Sequence, residues 1–309
     1  MLKQWSQSAG NQLYNILLYI VGTSETLRNG FIYYSLPLDR LVCRTTLFSS
    51  LEDENTKKIS VHVPTHLKPI NDDLSHYLAG LIEGDGHFSK QQQLVIVFNS
   101  LDIHLAYFIK SVLGYGTVRQ VKNKNAVLFL ISSKAGIITV LNLINGKIKT
   151  QVKLDQIISN ILPFFNISFN LSLNTCFNNS WLAGFSDADA SFQIKLVNKI
   201  SNKKEVRLNF QVDQKYQEIL ILIKRFLGGN IGYRSNQNTY YYGSTSFGSA
   251  RNVIHYFDTY HLQSTKHINY LKWRNAYIII QDREHLNEIG LNKIIKLKET
   301  MNRYQEGQE

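Results

Sequence analysis

Along Val206-Arg-Leu-Asn-Phe-Gln-Val212 apolar and polar residues alternate, with Leu208, Phe210 and Val212 on one side and Arg207, Asn209 and Gln211 on the other. A period of two marks a strand with one buried and one solvated face. Leu94-Val-Ile-Val-Phe98 reads as the matching alternating strand upstream. Each strand leads into a helix with the same ending, Ile109-Lys-Ser-Val-Leu-Gly114 and Ile223-Lys-Arg-Phe-Leu-Gly228, 114 residues apart. Two further strands are expected after each helix, about 117–121 with 126–132 and 231–235 with 239–247. Helices near 134–145 and 249–260 follow. The chain is therefore one structural sentence written twice, and a repeat of this kind governs every later reading.

Ahead of each first strand stands the clearest copy. Leu78-Ala-Gly-Leu-Ile-Glu-Gly-Asp-Gly86 returns 104 residues later as Leu182-Ala-Gly-Phe-Ser-Asp-Ala-Asp-Ala190. An aromatic residue precedes each copy (Tyr77, Trp181) and a phenylalanine follows it (Phe88, Phe192). Small residues four apart, Gly80 with Gly84 and Gly184 with Ala188, give a helix a face almost without side chains, so two such helices can pack backbone to backbone. Asp85 and Asp189 then meet at the helix ends. That is a poor place for carboxylates, because a helix C-terminus carries partial negative charge and the two anions repel. A hard divalent cation removes both objections, and Mg²⁺ accepts one or two carboxylates together with water and phosphate oxygens. One copy alone would read more simply as a core helix with an acidic end; two matched copies favour a paired site. Glu83 and Asp187 point to another side of the helix and are expected to make packing or capping contacts.

These motifs resemble those of the LAGLIDADG homing endonucleases, in the single-chain form with two motifs. The resemblance covers roughly residues 74 to 283. It implies an α+β fold of two pseudo-symmetric αββαββα repeats, with the motif helices at the interface and curved antiparallel sheets forming a DNA-binding saddle. The expected division is an N-terminal extension (1–73), a first repeat (74–162), a linker (163–179), a second repeat (180–284) and a C-terminal helical tail (285–309). The tail carries Ile289, Leu291, Ile294, Ile295 and Leu297 on a broad apolar side, which should dock on the second half, with 303–309 frayed. The second repeat gains ten residues, placed at a polar turn-rich run from Val197 to Glu205.

Composition agrees. A net charge of +11 and a pI near 9.4 point to a polyanionic partner. Two cysteines, Cys43 and Cys176, with no CxxC, argue against a disulfide framework or a zinc site. Tyr14-Asn-Ile-Leu-Leu-Tyr-Ile-Val21 is too short to span a membrane, which takes about 20 apolar residues. A short helix is expected within residues 1–28 and a loop at Glu52–Lys58. Val61-His-Val-Pro-Thr-His-Leu-Lys-Pro69 reads as an extended lead, with His62 and His66 on its surface. Frequent Asn, Ile, Lys, Tyr and Phe have A/T-rich codons. Together with the resemblance they suggest a mitochondrial, intron-encoded origin, for which no transit peptide is needed.

Phosphodiester hydrolysis needs an activated water, charge stabilisation at phosphorus and help for the leaving oxygen. Asp85 and Asp189 are the candidate metal ligands, with Mg²⁺ as the cation, Mn²⁺ as a substitute and Ca²⁺ supporting binding without cleavage. The resemblance implies a lysine late in each repeat. Lys266 sits in that setting, and an offset of 113 carries it onto Lys153; Lys147 and Lys149 are rivals in the first half. Gln214 resembles a family position that orders water at the metal. The 114 offset places Ser100 opposite it, so the halves should differ and one strand should be cut faster. Ala190 stands where the motif usually has Gly. Ala resists a left-handed turn, so a modest adjustment of that helix end is expected.

DNA reading should fall to the outer faces of the strands. The candidates are Ser89, Gln91, Gln93, Arg119, Lys122 and Lys124 in the first half, and Gln193, Lys195, Arg207, Asn209, Gln211 and Arg234 in the second. Gln, Asn and Arg can bond base edges in the major groove, and Lys mostly meets phosphate. Tyr240-Tyr-Tyr242 is left open between packing and contact. The expected protein is a monomeric, metal-dependent, site-specific double-strand DNA endonuclease acting in intron homing. The alternatives are an RNA maturase assisting its own group I intron, or a catalytically inactive DNA-binding protein on the same fold.

Overall fold

The computed structural model describes residues 58–198 and 204–301. The helix expected within 1–28, most of the Glu52–Lys58 loop and the fraying end from 303 lie outside the described residues. The first half runs α1 (Asn71–Asp85), β1 (Gly86–Phe88), β2 (Leu94–Asn99), α2 (Ile103–Leu113), β3 (Thr117–Gln120), β4 (Ala126–Ile131), α3 (Lys134–Ile144) and α4 (Gln151–Asn160). The second runs α5 (Trp181–Asp189), β5 (Ala190–Asn198), β6 (Lys204–Gln214), α6 (Glu218–Leu227), β7 (Asn230–Arg234), β8 (Thr239–Gly243), α7 (Phe247–Thr259) and α8 (Lys266–Gln281). The repeat is thus αββαββα with one further helix in each half. Both sheets are antiparallel, in the order β1-β2-β4-β3 and β5-β6-β8-β7. The shared helix ending has a shared cause: Gly114 (φ 72°) and Gly228 (φ 78°) stop α2 and α6 in a conformation that side chains disfavour.

α1 and α5 pack across the junction of the halves as closely as their small residues permit. A Cβ on Gly80 would stand 1.9 Å from the Trp181 carbonyl oxygen, and one on Gly184 would stand 2.0 Å from that of Tyr77. Neither helix end turns left-handed: Gly86 (φ −83°) and Ala190 (φ −98°) are both extended. The expected adjustment at Ala190 is therefore not needed, since the motif's last position continues straight into a strand.

Each sheet buries one face against its helices. In the second half Phe192 lies 5.2–5.6 Å, centroid to centroid, from Phe210, Phe257, Tyr270 and Trp273. The β5–β6 hairpin is the site of the inserted residues, and its tip, 199–203, lies outside the described residues. Register makes the insertion larger than the helix endings suggest. Gly86 pairs with Ile96 and Ala190 with Val212, so the offset jumps from 104 to 116 across the hairpin and returns to 113 at β8, where Tyr242 matches Phe129.

Residues 58–70 are a strap on the second half rather than a free extension. Arg274 is fully buried, forks onto Asp258 at 2.9 Å and donates to the Ser60 and His62 carbonyls. His66 reaches the Leu262 carbonyl. The linker lies along 145–149, where Ser172 N–H bonds the Ile148 carbonyl at 2.6 Å. Cys176 within it is disulfide-bonded. The tail forms α9 (Glu288–Thr300) on α8 and β5, but its apolar side is narrower than expected. Ile294 is buried, whereas Ile289 is 73% exposed. No helix among the described residues is long and apolar enough to cross a membrane.

Candidate active site

Asp85 and Asp189 close α1 and α5 at the same end of the helix pair. The bare face of Gly84 lets the two meet: a Cβ there would lie 3.2 Å from Asp189 Oδ2. Burial raises the Asp85 carboxyl to about 6, Asp189 adds to the rise, and Lys266 and Lys153 oppose it. Burial also raises Asp189, against the Gln214 hydrogen bond and the same two lysines. Two anions thus share a partly buried site with two cations.

Both lysines arrive from helix starts. Lys153, in the first turn of α4, donates to the Gly86 carbonyl and is 8% exposed. Lys266 opens α8 and donates to the carbonyls of Ala188 at 2.6 Å and Ser186 at 3.2 Å. Each ammonium meets carbonyl groups at the motif helix end, where a cation is favoured. Burial lowers both lysine pKa values, and the carboxylates oppose that. The rivals are engaged elsewhere: Lys147 pairs with Asp72 at 3.4 Å, and Lys149 bonds the Asn174 carbonyl at 2.5 Å.

Glu83 and Asp187 hold the lysine helices. Glu83 accepts the backbone N–H groups of Lys149 (2.9 and 3.0 Å) and Thr150 (2.6 Å), at the entry to α4. Asp187 accepts those of Gln263 (2.7 Å) and Ser264 (3.2 Å), the Ser264 hydroxyl and the Tyr77 hydroxyl (2.7 Å). A hydrogen bond to a charged partner is worth about 1.5–3 kcal/mol. Each motif thus presents one acid to the site and uses the other to fix the turn that delivers the lysine. Burial raises both acids, and these hydrogen bonds counter it.

The pseudo-symmetry breaks in three places. Gln214 Nε2 donates to Asp189 Oδ2 at 2.7 Å. Its register equivalent is Phe98, not Ser100, because Gln214 pairs with Tyr240 as Phe98 pairs with Val127. The offset of 114 holds for the helices but not for β6. Secondly, Trp181 replaces Tyr77, and its indole N–H finds no hydrogen-bond partner among the described residues. Thirdly, Asp102 of the first half accepts the Thr265 N–H at 2.6 Å, gripping the turn before Lys266 from across the junction. Only the aromatic character of Tyr77 was visible beforehand; Asp102 carried no signal.

The expected DNA-contact set divides. Gln91, Arg119, Lys122, Lys124, Lys195 and Arg207 are exposed, and Arg207 pairs with Glu205 at 3.0 Å. Ser89 and Gln93 are half-buried in the β1–β2 turn, where Gln93 N–H bonds Ser89 Oγ. Asn209 and Gln211 do lie on the outer face, yet they are 6% and 8% exposed instead of open. They belong to a ladder in which Asn209 bonds Gln193 and Gln211, Gln211 bonds Asp213 at 2.8 Å, and Arg234 bonds Asp213 at 2.5 Å. Arg234 also lies over the Tyr241 ring, while Tyr242 is buried in the core.

A divalent cation fits the donors at the helix ends. Two partly buried carboxylates converge there, although among the described residues no group of three or more His, Cys, Asp or Glu is placed to hold a metal by protein ligands alone. A donor set of two carboxylates suits Mg²⁺, which completes its shell with water and phosphate oxygens.

Comparison with known proteins follows the same lines. The LAGLIDADG endonuclease family model matches residues 182–277. A Schizosaccharomyces pombe protein, "Uncharacterized cox1 intron-2 37.2 kDa protein", is 56% identical over 304 residues, covering 96% of this chain and 85% of its own. The Saccharomyces cerevisiae "Intron-encoded DNA endonuclease aI3" is 28% identical, covering 74% of this chain and 69% of its own. The "Intron-encoded RNA maturase bI4" of the same yeast is 27% identical, covering 78% and 36%. Among solved structures, "I-SmaMI bound to uncleaved DNA target in the presence of Calcium ions" superposes with a TM-score of 0.60 at 22% identity, covering 76% of this chain and 100% of that one.

Proposed function

The chain belongs to the LAGLIDADG endonuclease family, and on that premise we propose that it is a monomeric homing endonuclease that cuts both strands of one long, pseudo-palindromic DNA site. The observation that carries this reading is the convergence of Asp85, Asp189, Lys153 and Lys266 at the ends of two close-packed helices. The outer faces of the two sheets would each bind one half-site of about one helical turn. The cox1 intron in a relative's name supports a mitochondrial origin.

Asp85 and Asp189 would hold the cation, Mg²⁺ or Mn²⁺. When bound there it would supply Lewis-acid polarisation of a phosphoryl oxygen and a water of lowered pKa. Lys153 and Lys266 would sit beside the scissile phosphates and stabilise the negative charge that develops on phosphorus. Glu83, Asp187 and Asp102 fix the two lysine-bearing turns, so that little reorganisation accompanies the reaction. Gln214 orients the Asp189 carboxylate, and Phe98 gives Asp85 no such partner.

The test is cleavage of an intron-junction or randomised DNA library with Mg²⁺ against Ca²⁺ or EDTA. Mg²⁺-dependent double-strand cuts at one long sequence are expected; cutting that persists in EDTA would contradict the metal assignment. The maturase relative supports a second reading, assistance to the chain's own intron RNA. Selective binding of that RNA with no selection of DNA would favour it. Specific DNA binding without any cleavage would favour an inactive DNA-binding protein.

A further inference from the structure

The outer faces of the two sheets are made of different chemistry. β2 and β4 of the first half turn Val95, Val97, Leu128 and Leu130 outward, paired Val95 with Leu130 and Val97 with Leu128. Val97 is 45% exposed and the other three are half-buried. The same register positions of the second half hold Gln211, Asp213, Tyr241 and Gly243. One half therefore presents an aliphatic stripe where the other presents a hydrogen-bonded polar ladder.

The stripe's surroundings identify what it fits. Residues 86–99 and 117–131 contain no Asp or Glu, yet they carry Lys90, Arg119, Lys122 and Lys124. Arg119 pairs with Leu128 on the same face, and Lys90, Lys122 and Lys124 stand exposed in the turns. β1 starts at the residue after Asp85, so this sheet begins at the candidate active site. An aliphatic strip bordered by polar residues whose only charges are basic complements a polyanion with apolar groups along its floor. In the major groove only thymine offers such a group, its C5-methyl. A G·C pair offers the strip no methyl, so the apolar contact made on an A·T pair is lost there, whereas polar base edges go unpaired by these side chains on either pair.

Resting on the endonuclease reading above, we propose that the first half recognises its half-site through thymine methyl groups, by way of Val95, Val97, Leu128 and Leu130, while the second half reads base edges through polar side chains. The half-site under the first sheet is accordingly A·T-rich at its centre, and discrimination there is against G·C rather than between hydrogen-bonding patterns.

The experiment is selection of DNA from a randomised library in Ca²⁺, followed by affinity measurement on the recovered site with each thymine replaced singly by deoxyuridine, which lacks only the methyl. Loss of about fourfold for each contacted methyl, the worth of one buried methyl-sized group, is expected in one half-site and no change in the other. Val97→Gln should abolish the thymine preference at one or two positions of the sensitive half-site. Its position at the surface spares the core, and the deoxyuridine series on the unaltered protein does not depend on that variant. A recovered site with uniform insensitivity to deoxyuridine, or a Val97→Gln protein with unaltered preferences, would overturn the inference and leave the endonuclease reading standing. Recovery of no preferred sequence would overturn both.

Discussion

Replacing Gly80 with alanine tests the frame on which the site is built. The new Cβ would stand 1.9 Å from the Trp181 carbonyl oxygen and 2.8 Å from the Phe185 nitrogen. Both are backbone atoms of α5, so no rotamer change relieves the clash and the helices must part. Restoring an ordinary carbon–oxygen contact of about 3.3 Å requires a separation of about 1.4 Å. Overpacking of this kind costs about 1–3 kcal/mol in stability, and more when the backbone cannot follow. Asp85 and Asp189 ride on the same two helices, and a misplacement of about 1 Å costs on the order of 100-fold in rate. Single-turnover cleavage of the selected target should therefore fall by about that factor, while affinity measured in Ca²⁺ changes far less because the sheets are untouched. Gly248→Ala is the control: nothing lies within 4 Å of its added Cβ, it sits in the first turn of α7, and alanine favours a helix by up to about 1 kcal/mol. A Gly80→Ala protein that cuts at the wild-type rate, with an unchanged melting temperature, would refute the close-packed frame.

Three further outcomes follow from the site. Asp187→Asn should cost about 2–4 kcal/mol of stability, one or two charge-assisted hydrogen bonds, and should slow cleavage by freeing the turn before Lys266 while DNA affinity holds; an unaltered rate would remove its positioning role. Gln214→Ala should make a supercoiled target accumulate as nicked circle, since only the Asp189 side loses a partner; equal slowing of both strands would contradict the asymmetry. His267 is held down to about 4 by burial, with His66 and His261 adding to the effect. The unfolded chain takes that proton near 6.5, so this group removes stability as pH falls from about 6.5 towards 4. The raised Asp85 carboxyl works in the opposite sense over about pH 4 to 6, which makes the comparison with His267→Gln the informative one. The denaturation midpoint of the unaltered protein should fall more between pH 7.5 and pH 5 than that of His267→Gln; parallel falls would contradict the assignment.

The parts of this molecule legible in its sequence were those written twice. Gly80, Gly84, Gly184 and Ala188 announced the helix pair because close approach leaves no choice of residue. Lys153 and Lys266 were matched because the offset of 113 survives from β8 to the last helix. Gln214 was matched to Ser100 because the offset of the helix endings was carried onto a strand, whereas the longer β5–β6 hairpin shifts that strand's register by two more residues. Asp102 could not be found, since its partner Thr265 lies 163 residues away, in the other half. Alternation in β6 gave the correct face for Asn209 and Gln211 but not their exposure, which depends on neighbouring side chains. The alternation expected of β2 is one of burial and not of residue type, since Leu94 to Phe98 are all apolar, and its outward valines became informative only once the sheet showed which way they point.

The central claim is that Asp85 and Asp189 hold the cation that drives cleavage, and Asp189→Asn tests it most directly. The variant keeps the size of the side chain and removes its charge. Binding and Mg²⁺-dependent cleavage should be measured side by side on one selected target. The account predicts near-normal affinity in Ca²⁺ with no double-strand product in Mg²⁺; product formed at the wild-type rate would contradict it.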